Sequence, residues 1–143
     1  MNFKKKMVVM VFAVLVALGT LVYNIATKTT SDTLTAEVHW NTTSGELLQK
    51  ISGNNADELN DYLEKAIVIT GELENVSKIN GEKTLLLKND GFKAKILCEL
   101  QKNQSDEVAI LKVGDTLKIK GIYKGHLLDA ILLNCIILER NQP

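Results

Sequence analysis

The sequence predicts a mainly β protein: a small five-stranded barrel with a helix between its third and fourth strands, preceded by short helices and one N-terminal transmembrane helix. Three observations carry this. Residues 65–139 hold five short apolar runs separated by Asn80-Gly81, Asn89-Asp90-Gly91, Gly114-Asp115 and Gly125, which are turn signals. A short helical pattern, Ser105 to Leu111, falls between the third and fourth runs. An uncharged stretch, residues 7–26, follows Lys4-Lys5-Lys6.

That stretch is taken first. Its 20 residues are mostly Val, Leu, Met, Ala and Phe, and a helix of ~20 residues spans a ~30 Å hydrocarbon core. The lysines belong on the cytoplasmic side, which puts the rest of the chain across the membrane. A cleaved signal peptide, with Ala17-Leu18-Gly19 as its small-x-small site, is the competing reading. The apolar run continues past that site through Leu21, Val22, Tyr23 and Ile25, which favours an uncleaved anchor. Residues 1–6 then form a cytoplasmic basic segment, 7–26 the anchor, 27–40 a polar linker, 41–64 a helical lead-in and 65–139 the barrel. The expected location is the cytoplasmic (inner) membrane, single-pass, with the C-terminal domain outside the cytoplasm.

The formal net charge of +0 hides an asymmetry. Four lysines and no acid precede residue 31, leaving 13 of the 17 bases against 17 acids, a formal −4 for the remainder. Proteins that hold nucleic acid through its phosphates carry a basic field, and this domain has none in bulk.

In the lead-in, Thr43 or Ser44 caps a helix through Leu47, Leu48 and Ile51, stopped at Ser52-Gly53-Asn54. Asn55 caps a second helix, with Asp57 and Glu58 in its first turn. Its apolar face is Leu59, Tyr62, Leu63 and Ala66, at i, i+3, i+4 and i+7. Trp40, in an extended piece with His39, is read as an anchor on the barrel; a ligand-facing Trp40–His39 pair is the sharper alternative.

In the first strand Ile67, Ile69, Gly71 and Leu73 alternate with Val68, Thr70, Glu72 and Glu74. Gly71 permits the sharp bend of a barrel corner, and the strand runs on to Ile79. Asn80-Gly81 predicts a type I′ hairpin turn, and Asn89-Asp90-Gly91 closes the second hairpin into a strand over 93–100. Ser105 is the expected N-cap of the helix and Gly114 its stop. The fourth strand runs from Thr116 to Tyr123, with Lys124-Gly125-His126 as the next turn. The fifth, Ala130 to Leu138, is apolar on both faces except at Asn134, so its outer side needs a cover; the helical lead-in is the expected one.

Three hairpin-joined strands, a helix, and two closing strands describe the OB-fold. Lys65-Ala66-Ile67-Val68-Ile69-Thr70-Gly71, Ile96-Leu97-Cys98, Leu111-Lys112-Val113-Gly114-Asp115, Lys120-Gly121 and Asn134-Cys135-Ile136-Ile137 together resemble the small bacterial OB-fold domains labelled tRNA anticodon-binding-like. The resemblance covers roughly residues 59–138. Tyr123 stands where relatives often carry a further cysteine. The label implies fold similarity to anticodon-binding domains and does not by itself imply RNA binding.

Strand parity groups Cys98 with Ala94, Ile96 and Leu100, and Cys135 with Ile131, Leu133 and Ile137, putting both inside. Strands three and five are neighbours in an OB-fold, so the sulfurs can approach. Two readings stay open: buried free thiols, or a Cys98–Cys135 disulfide favoured by export. No zinc spacing, phosphate loop, nucleophile elbow or acid/base cluster is present. No catalytic residue, metal or cofactor is therefore expected, and the chain is read as a non-catalytic binding module.

An OB-fold binds on the outer side of strands two and three and with the loops joining strands one–two and four–five. The residues offered there are Lys83, Phe92, Lys93, Lys95, Lys124 and His126. Phe92 alone supplies a stacking ring, which is poor equipment for single strands. The expected partners are the membrane, through the anchor, and a protein or other envelope ligand. Nucleic acid is the alternative.

Overall fold

The computed structural model describes residues 3–27, 33–53, 55–79 and 81–143. It divides into two compact units, residues 1–31 and 32–143. The first holds α1 (Phe3–Thr27). Within it Lys5–Tyr23 has a mean hydropathy of 2.2 and is long and apolar enough to cross a membrane. Its side chains from Met7 to Tyr23 are exposed.

The second unit runs β1 (Val38–Thr43), α2 (Ser44–Ser52), a 3-10 segment (Ala56–Tyr62), β2 (Ala66–Ile79), β3 (Glu82–Lys88), β4 (Ile96–Leu100), a 3-10 turn (Lys102–Gln104), α3 (Ser105–Val108), β5 (Thr116–His126) and β6 (Ala130–Asn141). The sheet order is β1-β2-β3-β4-β6-β5, and β2 pairs with β5 to close the barrel. β4 and β6 pair in parallel, while β2–β3, β3–β4, β5–β6 and β2–β5 are antiparallel. Five strands, β2 to β6, thus close as an OB-fold. A sixth, β1, adds itself in parallel to β2, with Trp40 opposite Ile67 and Thr42 opposite Ile69.

β1 shortens the expected linker. Thr33 is fully buried, and the carbonyls of Leu34 and Ala36 accept hydrogen bonds from Lys120 Nζ at 3.0 and 2.6 Å. Lys120 points away from the barrel interior, as do Ala66, Val68, Ile122 and Ile136, yet all five are buried. Val68 pairs with Lys120, and Lys120 with Ile136. The chain ahead of β1 therefore lies over this outer patch. In the helical lead-in Leu47, Leu48 and Leu59 join the core cluster with Ile67, Ile69, Leu87 and Leu117, and Leu59 and Leu63 also border Ile131 of β6.

α2 starts as the sequence predicts. Thr43 is its cap, and its hydroxyl accepts from Glu46 N while Glu46 Oε2 accepts from Thr43 N at 3.1 Å, a reciprocal capping box. Gly71 makes room for this helix. A Cβ there would sit 3.0 Å from Ser44 Cβ and 3.3 Å from Leu87 Cδ1, so the mid-strand glycine serves a close approach as well as a bend. The second lead-in helix is 3-10, not α. With three residues per turn Leu59 and Tyr62 share a face, while Leu63 turns out and is 38% exposed.

Other expectations need correction. The N-cap of α3 is Gln104, not Ser105, and the Gln104 side chain does not cap; its Oε1 accepts from Ile137 N at 3.0 Å, tying the turn to β6. β4 begins at Ile96, three residues later than predicted over 93–100. Lys124-Gly125-His126 is not a turn: β5 runs through it, the register shifts between Tyr123 and Gly125, and the turn is Leu127 to Asp129. Gly125, at φ +107°, is a bulge residue. The Asn80 half of the first hairpin turn lies outside the described residues; Gly81 has φ +90°.

The parity of β6 also breaks. Asn134 adopts φ +53°, and the pairing with β4 shifts between Cys98 and Leu100. Before this bulge Ala130 and Leu132 face in; after it Cys135 and Ile137 do. Ile131 and Leu133 are half-exposed and do not share the face of Cys135. One extra residue on a strand reverses every later side chain.

Candidate interaction surface

The outer side of β3 and β4 is built from alternation. Leu85, Leu87, Ile96 and Cys98 fill the interior, so Leu86 and Leu97 face out. Register places Asn75, Leu86, Leu97 and Ile131 in one row across β2, β3, β4 and β6. All three aliphatic side chains are half-buried. The centre of the face is thus apolar and carries no aromatic ring.

Charges border this row, and most are matched. Lys95 Nζ lies 3.0 Å from Glu74 Oε1. Lys124 Nζ lies 2.5 Å from Glu64 Oε2. Lys88, which the sequence reading did not single out, stands 3.3 Å from Glu72 Oε1 and 3.6 Å from Asp90 Oδ1. The hydrogen bond to Glu72, then the charge of Asp90, raise its pKa. Exposed pairs of this kind add ~0–1 kcal/mol to stability, but each cancels a positive charge that a phosphate would need.

The predicted site residues separate into two groups. Lys95 and Asp129 are joined by a hydrogen bond from Lys95 N to Asp129 Oδ1 at 2.8 Å, which brings Lys93 and Lys95 beside the β5–β6 turn. Lys124 and His126 lie on the last residues of β5, at the same turn. Lys93 is exposed and makes no ion pair among the described residues. Lys83 does not join them. It sits opposite Lys78 on the β2–β3 hairpin, ~16 Å along β3 from Lys88. Phe92 packs against the interior cluster and is no open stacking ring.

His126 Nδ1 pairs with the Tyr123 hydroxyl at 2.9 Å. Burial pushes the Tyr123 phenol up from 10.0 to about 12. The neutral phenol is therefore favoured in the folded state. Its contribution to stability is whole below pH 10, where both states are protonated, and is lost as pH rises from 10 to about 12. The loss amounts to ~2 kcal/mol. In an absorbance titration Tyr123→Phe is expected to remove a late phenolate step at about pH 12. An alkaline limb unchanged by that substitution refutes this.

Cys98 and Cys135 are fully buried and free in this structure. Burial first, then the Cys98 thiol beside it, holds Cys135 well above the usual thiol range. At neutral pH it is a thiol, not a nucleophilic thiolate. Among the described residues no group of three or more His, Cys, Asp or Glu side chains is arranged to hold a metal ion.

Two of the hollows among the described residues border this surface. One, of about 570 Å³, is bordered by Trp40, Asn41, Gln49, Lys50 and Asn55. Trp40 stacks on Tyr62 with ring centroids 4.7 Å apart and planes at 25°, and Lys50 is paired with Glu58 at 2.5 Å. His39 turns away to Glu37 O, 2.9 Å from its Nδ1, so Trp40 pairs with Tyr62 and not with His39. The other hollow, of about 370 Å³, lies under the β5–β6 turn between Leu59, Leu63, His126, Leu127 and Ile131.

Residues 1–137 match the tRNA_anti-like family. The chain belongs to that family. No curated protein matches the sequence. Among solved structures, a "putative nucleic acid-binding lipoprotein" from Klebsiella pneumoniae is 18% identical, with a TM-score of 0.55, and the match covers 68% of this chain and 91% of that one. Asparaginyl-tRNA synthetase from Pyrococcus horikoshii is 11% identical at a TM-score of 0.44, covering 57% of this chain and 21% of the synthetase. The Stn1–Ten1 complex of S. pombe is 12% identical at 0.42, over 52% and 58%. At 18% identity the likeness to the Klebsiella structure is one of fold. The OB topology read from the strands of this tRNA_anti-like chain agrees with it.

Proposed function

We propose that this tRNA_anti-like chain is a non-catalytic binding module, anchored in the cytoplasmic membrane by α1 with its barrel on the extracytoplasmic side. Its partner in this reading is a protein or other envelope ligand. The carrying observation is the character of the OB face: an aliphatic row, Leu86, Leu97 and Ile131, edged by lysines that Glu64, Glu72 and Glu74 neutralise. Such a face suits apolar and hydrogen-bonding contacts better than a polyanion. The basic segment before the span supports the orientation.

Protease treatment of sealed membrane vesicles of both orientations tests the placement. Digestion of the barrel only from the extracytoplasmic side is expected; digestion only from the cytoplasmic side, or a barrel released without its anchor, refutes it. The Klebsiella neighbour's name favours a second reading, nucleic-acid binding. Oligonucleotide binding that weakens steeply with salt and is lost in Lys93→Ala/Lys95→Ala would replace the first reading with the second.

Export also bears on the cysteines, which are free thiols in this structure and which an oxidising compartment would bridge. In an oxidising compartment a thiol oxidoreductase would exchange its disulfide with Cys98 and Cys135, forming one Sγ–Sγ bond and leaving two reduced thiols on the donor. Both sulfurs are buried once folded, so the exchange precedes barrel closure. The bridge closes a loop of ~37 residues, worth roughly 3–4 kcal/mol in chain entropy. Alkylation without reductant, followed by mass spectrometry of denatured protein taken from its own membrane, is expected to find neither cysteine modified. Two alkylated cysteines refute the bridge.

A further inference from the structure

We propose that the β5–β6 turn is a membrane-contacting tip, in which Leu127 and Leu128 enter the interfacial layer of the bilayer that anchors the chain. The inference rests on the anchored reading above. Leu127 is 88% exposed and Leu128 86%, more than any other large apolar side chain described, those of α1 included. Two adjacent leucines held in water at a turn bury nothing for the fold.

Their exposure is built in and is not the slack of a loose loop. Asp129 Oδ1 accepts from Lys95 N at 2.8 Å, and Ala130 N donates to Lys95 O at 3.0 Å, so the turn is tied to the chain entering β4. Leu127 N donates to Asp129 O at 3.3 Å within the turn. Tyr123 and His126 pair at its base. An apolar-edged hollow with Leu59, Leu63 and Ile131 lies under the turn; Leu127 borders it and Leu128 does not, and both side chains stay exposed. A fixed tip loses little conformational freedom on docking.

The occupant follows from the chain's own topology. Residues 24–32 lie between the apolar span and the buried Thr33, a reach of at most ~30 Å, and a unit of this size is ~35 Å across. The barrel therefore stays within contact range of lipid, at the high effective concentration a short tether gives. Two leucines alone hold a membrane weakly and reversibly; on a tethered domain they set which face meets it. Lys93, exposed beside the turn and in no ion pair among the described residues, suits lipid phosphate at the same edge.

The test uses the full chain with an environment-sensitive fluorophore on Leu128→Cys, reconstituted into phosphatidylcholine–phosphatidylglycerol vesicles. The buried native cysteines do not compete for label in folded protein. The control position is Val113→Cys, 69% exposed at the other end of β5, ~36 Å away along the strand. The expected result is a blue shift at 128 and at least about twofold more quenching there by spin-labelled lipid than at 113. Leu127→Asp should reduce that quenching while thermal unfolding is unchanged. Equal quenching at both positions in protein that floats with the vesicles overturns the tip and leaves the anchor standing. A blue shift seen only with native membrane fragments also overturns it, in favour of a protein partner. Protein that does not float with vesicles overturns the anchored reading, and the tip with it.

Discussion

Asp115→Ala is expected to cost the barrel about 3–5 kcal/mol, the cost of leaving a buried charge without its partner. Asp115 is 1% exposed, and its Oδ2 lies 2.9 Å from Arg140 Nε. That nitrogen is buried and its N–H has no aligned acceptor. The contact is therefore an ion pair held by charge and proximity, without a well-directed hydrogen bond. The same oxygen accepts from Lys112 N at 2.9 Å, and the Asp115 carbonyl accepts from Leu73 N at 2.8 Å. One residue thus joins the entry to β5, the middle of β2 and the end of β6. Urea unfolding followed through Trp40, the sole tryptophan, measures the loss. Asp115→Ala/Arg140→Met should recover at least half of it, because the orphaned guanidinium is gone. A single-mutant cost below about 1 kcal/mol would place the pair among ordinary surface bridges.

Gly121→Ala is expected to cost about 1–3 kcal/mol by overpacking. A Cβ at residue 121 would lie 2.5 Å from Cys135 Sγ and 3.2 Å from both Cβ and Cδ2 of Leu132. The sulfur can swing aside only into an interior already filled by Leu132 and Cys98, all fully buried. Cys135→Ala removes the obstructing atom, so Gly121→Ala/Cys135→Ala should be more stable than the sum of the two single changes. Strict additivity in the double-mutant cycle would show that the sulfur is not what the glycine accommodates.

These two residues show what a single sequence displays and what it conceals. Asp115 is legible as a turn residue after Gly114, and Gly121 as a strand residue. Their partners, Arg140 and Cys135, lie far along the chain and are chosen by register. The candidate face has the same history. Lys93, Lys95, Lys124 and His126 were expected on one surface and do gather at the β5–β6 turn. Lys83 and Phe92 were expected with them; the first lies at the far hairpin and the second packs inward. The matching carboxylates of Glu64, Glu72 and Glu74 were not legible, since each ion pair but Lys88–Asp90 spans a long stretch of chain. Leu127 and Leu128 were missed for a different reason. Lys124-Gly125-His126 reads as the turn, which leaves the two leucines after it unassigned ahead of the fifth strand.

What the sequence determined by itself is whatever short-range physics decides. That includes the apolar span behind three lysines, a helix cap at Thr43 or Ser44, the order of five barrel strands and the OB topology they imply. Each depends on residues within a few positions of one another, where periodicity, caps and positive-φ glycines act directly. What only the tertiary structure decided depends on which distant segments meet. β1 pairs with β2 in parallel, Lys120 draws the chain ahead of β1 over the outside of the barrel, and the bulge at Asn134 reverses the second half of β6. Register turns a one-residue shift into an exchange of faces, and no local pattern in this chain records which register wins.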